Sequence, residues 1–299
     1  MSNTKEVAIT NRTGIAQAIY DFKLLVKFNL SLLVIFSSVT AFMIASQGNF
    51  TFYGALLLSI GGFLVTGAAN ILNEVLERDY DKLMKRTADR PIAAGRMSVS
   101  SGVLLAGLMC LSGVALLSLF NPMTGLLGMI SLVTYAFIYT PMKRQTPFSV
   151  VVGAVPGALP MMIGCVAAEG GELSMLAITL FSLQFLWQFL HFFPIAWLGH
   201  EDYTIAGFKL MPTRSGEPRP IVGLYCVLAA MLLIPLGFVP YYLGISGIVS
   251  LVVMVLAALG CAWYGYRFYR ECTKEAARRV MFCSLIYLPV VLIAVLLDN

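Results

Sequence analysis

Charge is what this sequence has least of. Only 12% of its 299 residues are Asp, Glu, Lys or Arg, against 59% that are hydrophobic. An ordinary soluble domain carries roughly twice that charge, so the balance excludes one. Histidine occurs twice, as His191 and His200, which leaves two places for imidazole chemistry. The six cysteines (Cys110, Cys165, Cys226, Cys261, Cys272 and Cys283) show no CxxC or other metal-type spacing, and all but Cys272 lie in apolar runs. They read as small packing residues, and with no small extracellular domain to staple there is no call for a disulfide framework. A small-residue cleavage site is missing behind the first apolar run, which is also too long for a signal-peptide core, so it reads as a retained first spanning helix.

What the sequence has in abundance is long apolar runs. Nine of them lie near 28–46, 51–72, 98–119, 122–141, 147–167, 174–197, 220–242, 246–264 and 279–297, each close to the roughly 20 residues a spanning helix needs. The expected fold is therefore an all-α integral membrane bundle of nine transmembrane helices: a polar tail over 1–27, then one polytopic domain over 28–299. The net charge of +5 could suggest nucleic acid, but its placement gives another reason. Lys5, Arg12, Lys23 and Lys27 precede the first run, six basic residues lie between the second and third, and Lys143 and Arg144 follow the fourth. Lys209, Arg214 and Arg219 follow the sixth, and Arg267, Arg270, Lys274, Arg278 and Arg279 follow the eighth, so all 20 basic residues fall on one side. The positive-inside rule makes that side the cytoplasm and the chain N-in/C-out, in a bacterial inner membrane or facing a mitochondrial matrix.

Two of the inside connections are chemically rich. The first, 70–97, packs five acidic and six basic residues into 28 positions; the second is 198–219. The apolar pattern Ile71, Leu72, Val75, Leu76 continues the second helix out of the membrane through at least Asp81. Residues four apart on a helix lie one above the other, so Asn73, Glu77 and Asp81 form an oxygen-bearing stripe about 12 Å long. Hard carboxylate and amide oxygens are what Mg²⁺ takes, usually with substrate phosphates completing its shell. Arg78, Lys82, Arg86 and Arg90 are placed to meet phosphate oxygens. By spacing alone an interfacial helix with solvated charge pairs fits equally well. Position favours the metal: the stripe begins at the membrane boundary, where a substrate with a charged head and an apolar tail would lie.

In the second island Glu201 and Asp202 can hold a further Mg²⁺ or face the first stripe across a cavity, although adjacent Glu-Asp is also ordinary loop composition. Four spans separate the islands, which suggests two halves with equivalent active loops. His191 falls near the inner end of the sixth run, where polar groups face the bundle interior; packing against a neighbouring helix and ligation of a metal or haem iron are both open for it. His200, beside Glu201, is either solvated or a phosphate partner.

Taken together, these residues resemble the UbiA superfamily of intramembrane prenyltransferases, whose NxxxDxxxD signature is matched by Asn73, Glu77 and Asp81 with Glu at the middle position. Within it, the strings DKLMKRTADRPIAAGR (81–96), YTPMKRQTPFSVVVGAVPGALPMMIG (139–164), WQFLHFFPIAW (187–197) and EDYTIAGFKLMP (201–212) resemble the haem O synthase branch. The second acidic motif departs from a spaced DxxxD, and His200 stands where relatives carry Lys. The resemblance implies transfer of a farnesyl group from farnesyl diphosphate to a vinyl group of haem B, followed by water addition. It assigns Mg²⁺ to Asn73, Glu77, Asp81 and Asp202, with Glu201 beside them, and leaving-group charge to Arg86, Arg90, Lys143 and Arg144. It further implies phosphate hydrogen bonds from Tyr139 and Tyr203, haem binding by His191, contact with membrane lipid, and association with a haem A synthase or terminal oxidase assembly. A same-class rival is an aromatic quinone-precursor acceptor; a rival of another class is a secondary transporter, which would ordinarily keep its key polar groups near the midplane.

Overall fold

The computed structural model describes residues 14–298; Lys5, Arg12 and Asn299 lie outside them. The segment before the first spanning run contains helix α1 (Ile15–Leu25). Lys27 then adopts a left-handed backbone (φ 48°, ψ 57°) and turns the chain into α2 (Phe28–Ala45). Helix α3 (Phe52–Asp81) has 30 residues, about 45 Å at 1.5 Å per residue. That exceeds a hydrocarbon core of roughly 30 Å, so its last turns emerge from the bilayer, as the pattern through Asp81 requires. Then come α4 (Val99–Ser118) and α5 (Pro122–Val133), which runs through a π-helical stretch, Thr134–Tyr139, into the short α6 (Thr140–Met142).

Helices α7 (Ser149–Ala168) and α8 (Met175–Leu198) precede the short α9 (His200–Ile205) and a two-stranded hairpin of β1 (Thr213–Arg214) and β2 (Glu217–Pro218). Helices α10 (Ile221–Tyr242), α11 (Ile248–Glu271) and α12 (Lys274–Leu297) complete the bundle. Among the described residues nine helices are long and apolar enough to cross a membrane, and each coincides with one of the nine runs to within a residue or two at its apolar ends. Thr51, Ser98, Asn121, Ser174 and Thr273 cap α3, α4, α5, α8 and α12 by accepting from backbone amides, the usual device for an orphaned helix start. The last two helices are longer than their apolar runs. The i,i+4 pairs Arg267–Glu271 at 2.5 Å and Arg279–Glu275 at 2.9 Å carry their charged ends beyond the apolar stretch.

Sequential neighbours pack together, and α2 against α7, α8 against α10 and α12, and α12 against α2 close the bundle into a ring. Its surface is inverted relative to a soluble protein. Leu104, Leu111, Leu256 and Ile286 are more than 60% exposed on the outside, while Asn70, Asn73, Glu77, Asp81, Gln184 and Gln188 are buried. That is the arrangement of a protein whose solvent is lipid.

Helix α7 is the most enclosed span, and small residues make that possible. At Gly164 a Cβ would run into the Ser38 carbonyl of α2, and at Gly153 into the Tyr139 ring. Glycine is needed at both because backbone and ring approach too closely for any side chain. Replacing Gly164 by Leu should separate α2 from α7 at a cost of at least about 1–3 kcal/mol. A heat challenge in detergent read by size-exclusion chromatography should show the variant aggregating below the parent's transition; a matched profile would place the close approach elsewhere.

Candidate active site

The C-terminal end of α3 is wrapped by three connections, and each supplies a cation to its acidic face. Asn73, Glu74, Glu77 and Asp81 are all at most 4% exposed, which the solvated-helix alternative does not allow. Lys27, from the turn between α1 and α2, donates to Asn73 Oδ1 at 2.8 Å and to the Tyr135 hydroxyl at 3.2 Å. Lys143, just after α6, sits 2.6 Å from Glu77 Oε1. Arg90, in the segment after α3, donates through Nη1 to both Asp81 oxygens, at 3.0 and 2.8 Å, and its Nε lies 3.7 Å from Glu74 Oε1. The amide of Asn73 donates to Glu77 Oε2 at 2.9 Å and to Thr140 Oγ1 at 3.0 Å, which fixes its oxygen toward Lys27.

The π-helical stretch orients the opposite wall. Its wide turn lets the Thr140 hydroxyl donate to the Tyr135 carbonyl at 2.9 Å and brings Tyr135, Tyr139 and Thr140 to α3, the functional use that such bulges commonly have. Burial, with the Arg90 and Lys143 charges beside it, pushes the Lys27 ammonium down to about 7. Burial also works against Arg90, but Asp81, Glu74 and Glu77 together outweigh it and hold the guanidinium above its ordinary value. Lys27 also occupies a left-handed backbone, which costs roughly 1–3 kcal/mol for a residue other than glycine and is a frequent mark of functional positions.

Lys27, Asn73, Glu77, Asp81, Arg90, Tyr135 and Lys143 line a cavity of about 200 Å³ with Arg86, Tyr139, Tyr203, Phe208 and Leu210. Arg86 donates to the Tyr203 hydroxyl at 3.3 Å, and Lys143 stands 4.8 Å from the Tyr139 ring centre. Tyr135, Tyr139 and Leu30 also line a second, mostly apolar cavity of about 310 Å³ that runs into the bundle past Gln184, Trp187, Gln188 and His191. His191 is held by Ser284 Oγ at 3.1 Å and stacks on Trp187 with ring centres 5.1 Å apart. A polar pocket thus adjoins an apolar one, with Leu30, Tyr135 and Tyr139 lining both.

Of the residues singled out in the sequence, the structure brings together Asn73, Glu77, Asp81, Arg86, Arg90, Tyr139, Lys143 and Tyr203. It does not bring in Arg78 and Lys82, which pair with exposed Asp79 at 3.4 and 3.2 Å. One residue's step rotates a side chain about 100° around the helix, off the stripe. Arg144 lies 4.0 Å from the Tyr80 ring centre and donates to its hydroxyl. Glu201 is exposed and pairs with Lys274 at 2.6 Å, and neither it nor Asp202 lines the pocket. Lys27, Glu74, Tyr135 and Thr140 are the members that the sequence reading missed. Tyr135 precedes Tyr139 by one helical turn, a spacing that could have signalled it; Lys27 looked like one more inner-side charge.

Asn73, Glu77 and Asp81 offer one amide and two carboxylate oxygens on one face, a hard-oxygen donor set that fits Mg²⁺, and the surrounding cations fit the phosphates such an ion accompanies. Residues 33–286 match the model of the UbiA prenyltransferase family. A protein from Cytophaga hutchinsonii named protoheme IX farnesyltransferase is 41% identical over 276 residues, covering 92% of this chain and 96% of that one. The fold is shared with a digeranylgeranylglyceryl phosphate synthase (TM-score 0.79, 17% identity, 94% of this chain and 98% of that one). It is shared too with a UbiA homologue from Archaeoglobus fulgidus bound to GPP and Mg²⁺ (TM-score 0.59, 14% identity, 92% and 99%). An all-helical membrane bundle with a family match over most of its length and a relative at this identity is settled in its kinship: the chain belongs to the UbiA prenyltransferase family.

Proposed function

We propose that this protein transfers a farnesyl group from farnesyl diphosphate to a vinyl group of protohaem IX (haem B), in a Mg²⁺-dependent reaction that releases diphosphate and in which water then adds to the other vinyl carbon, leaving a hydroxyl there and giving up a proton. The observation that carries the reading is the adjacency of the two cavities: a buried acidic stripe under three cations lies against an apolar chamber, with Tyr135 and Tyr139 lining both. A prenyl diphosphate has that division of character along its own length. The acceptor comes from the relatives, which bear the name protoheme IX farnesyltransferase.

Asn73, Glu77 and Asp81 are the residues that would hold Mg²⁺, and a bound ion would supply positive charge to the diphosphate as it leaves. Arg90, Lys143 and Lys27 then bind and stabilise the departing diphosphate, because their present partners are the groups that turn to the metal, and Arg86 joins them from its place on Tyr203 at the pocket wall. Tyr139 and Tyr203 orient the phosphates from the pocket wall. The allylic carbon lies at the Tyr135 and Tyr139 junction, where apolar walls exclude the water that would quench a developing cation. His191, fixed by Ser284 and Trp187, orients the haem in the apolar chamber. We assign no contact with diphosphate to Arg78, Lys82, Arg144, Glu201 or Asp202. The one-sided basic residues support an N-in/C-out topology with the diphosphate pocket at the cytoplasmic face of a bacterial inner membrane, from which the product would pass to a haem A synthase or terminal oxidase assembly.

Membranes given labelled farnesyl diphosphate with haem B should put label into a farnesylated haem; label appearing only with an aromatic quinone precursor would contradict the acceptor. Asp81→Asn should lower Mg²⁺-dependent diphosphate release at least about a hundredfold in protein that still elutes as folded material, and release at the parent's rate would refute the metal assignment. A reporter active only outside the cytoplasm, fused after Asn299, should be active. The same reporter inserted in the 198–219 connection should be silent, and the opposite pair of results would reverse the topology.

A further inference from the structure

Glu74 is buried to 0% exposure, and neither of its carboxylate oxygens has a hydrogen-bond partner. Unlike Asn73, Glu77 and Asp81, it does not line the polar pocket. A carboxylate taken out of water without partners is among the costlier features a fold can carry, and here it sits one residue from the acidic stripe. Its nearest cation is Arg90, whose Nε is 3.7 Å away while Nη1 forks onto Asp81 at 3.0 and 2.8 Å. Glu74 and Asp81 are seven residues apart, two turns along the same side of α3, so the guanidinium is held between an anion behind the pocket and an anion within it. Arg90 is itself a pocket residue.

That arrangement has a consequence once Asp81 is needed elsewhere. A guanidinium paired with Asp81 alone would compete with a cation for its oxygens and lose its only counter-charge when displaced. With a second anion behind it, Arg90 can release Asp81 and stay at the pocket wall, facing the phosphates. We propose that Glu74 is a positioning residue: it anchors Arg90 so that Asp81 can pass from the arginine to a divalent cation carrying a diphosphate. The inference rests on the diphosphate reading above and deepens it, since it assigns the site's readiness for metal to a residue that touches neither metal nor substrate.

The test is thermal stabilisation of the purified full-length protein by Mg²⁺ at a fixed concentration of inorganic diphosphate, which reads binding without turnover. Glu74→Gln should raise the Mg²⁺ concentration at half-stabilisation about tenfold, the scale typical of groups that orient metal ligands. Saturating Mg²⁺ should return its kcat close to the parent's. Glu74→Asp, which keeps the charge but withdraws it by one methylene, should shift the half-point the same way by about threefold, and it decides the matter if the Gln variant does not fold. In an Arg90→Gln background, Glu74→Gln should produce no further shift, because the effect runs through the arginine. An unshifted half-point in both Glu74 variants, or an undiminished shift without Arg90, overturns the proposal while a stabilised parent keeps the diphosphate reading intact. A parent that Mg²⁺ and diphosphate fail to stabilise overturns both.

Discussion

Burying Glu77 and Asp81 beside Asn73 at the C-terminal end of α3 is possible only because Lys143, Arg90 and Lys27 reach them at 2.6 to 3.0 Å. The three cations come from three separate connections, so the acidic face acts as the mould on which those connections set. Removing one member of such a pair leaves an uncompensated buried charge, typically costing 3–5 kcal/mol. The left-handed turn at Lys27 and the π-helical stretch before Lys143 both follow from this demand, since each delivers side chains to α3 that a regular helix would aim elsewhere.

The same cluster is suited to exchange. Its anions match a divalent cation and its cations match a diphosphate, so the two sets can part company when both arrive together, and neither has to be built at that moment. Preorganised charges in a water-poor site are worth far more than the same charges in solution. The apolar chamber beyond Tyr135 and Tyr139 completes the division of labour between a charged head and a greasy tail. Helix α7 allows that chamber by being narrow: Gly153 and Gly164 let Tyr139 and α2 approach its backbone.

The fold was legible because lipid imposes a simple rule on sequence: among the described residues the nine apolar runs became nine helices long enough to span, and the pattern Ile71, Leu72, Val75, Leu76 carried α3 to Asp81 as expected. The core of the site was legible for a related reason, since helical spacing aligns Asn73, Glu77 and Asp81 before any tertiary contact is known. What one-dimensional spacing cannot carry is the partner across space. Arg90 and Lys143 were singled out, but that they hold Asp81 and Glu77 depends on how two connections fold back. Lys27 hid among the inner-side charges because a backbone turn of positive φ places it. Arg78 and Lys82 were drawn in by their proximity in sequence, and the helix turns them to water. Glu74, four residues before Arg78, has the spacing of a solvated helix pair, but it is buried against Arg90 instead.

The central claim is that the cations now on the acidic stripe yield it to a metal and take the phosphates instead. A structure of the protein with Mn²⁺, whose position anomalous scattering reports, and a non-hydrolysable farnesyl diphosphate analogue tests this directly. The account predicts manganese ligated by Asn73, Glu77 and Asp81, with Arg90 and Lys143 moved onto phosphate oxygens. Manganese bound elsewhere, with the Arg90–Asp81 and Lys143–Glu77 pairs still closed, would contradict it.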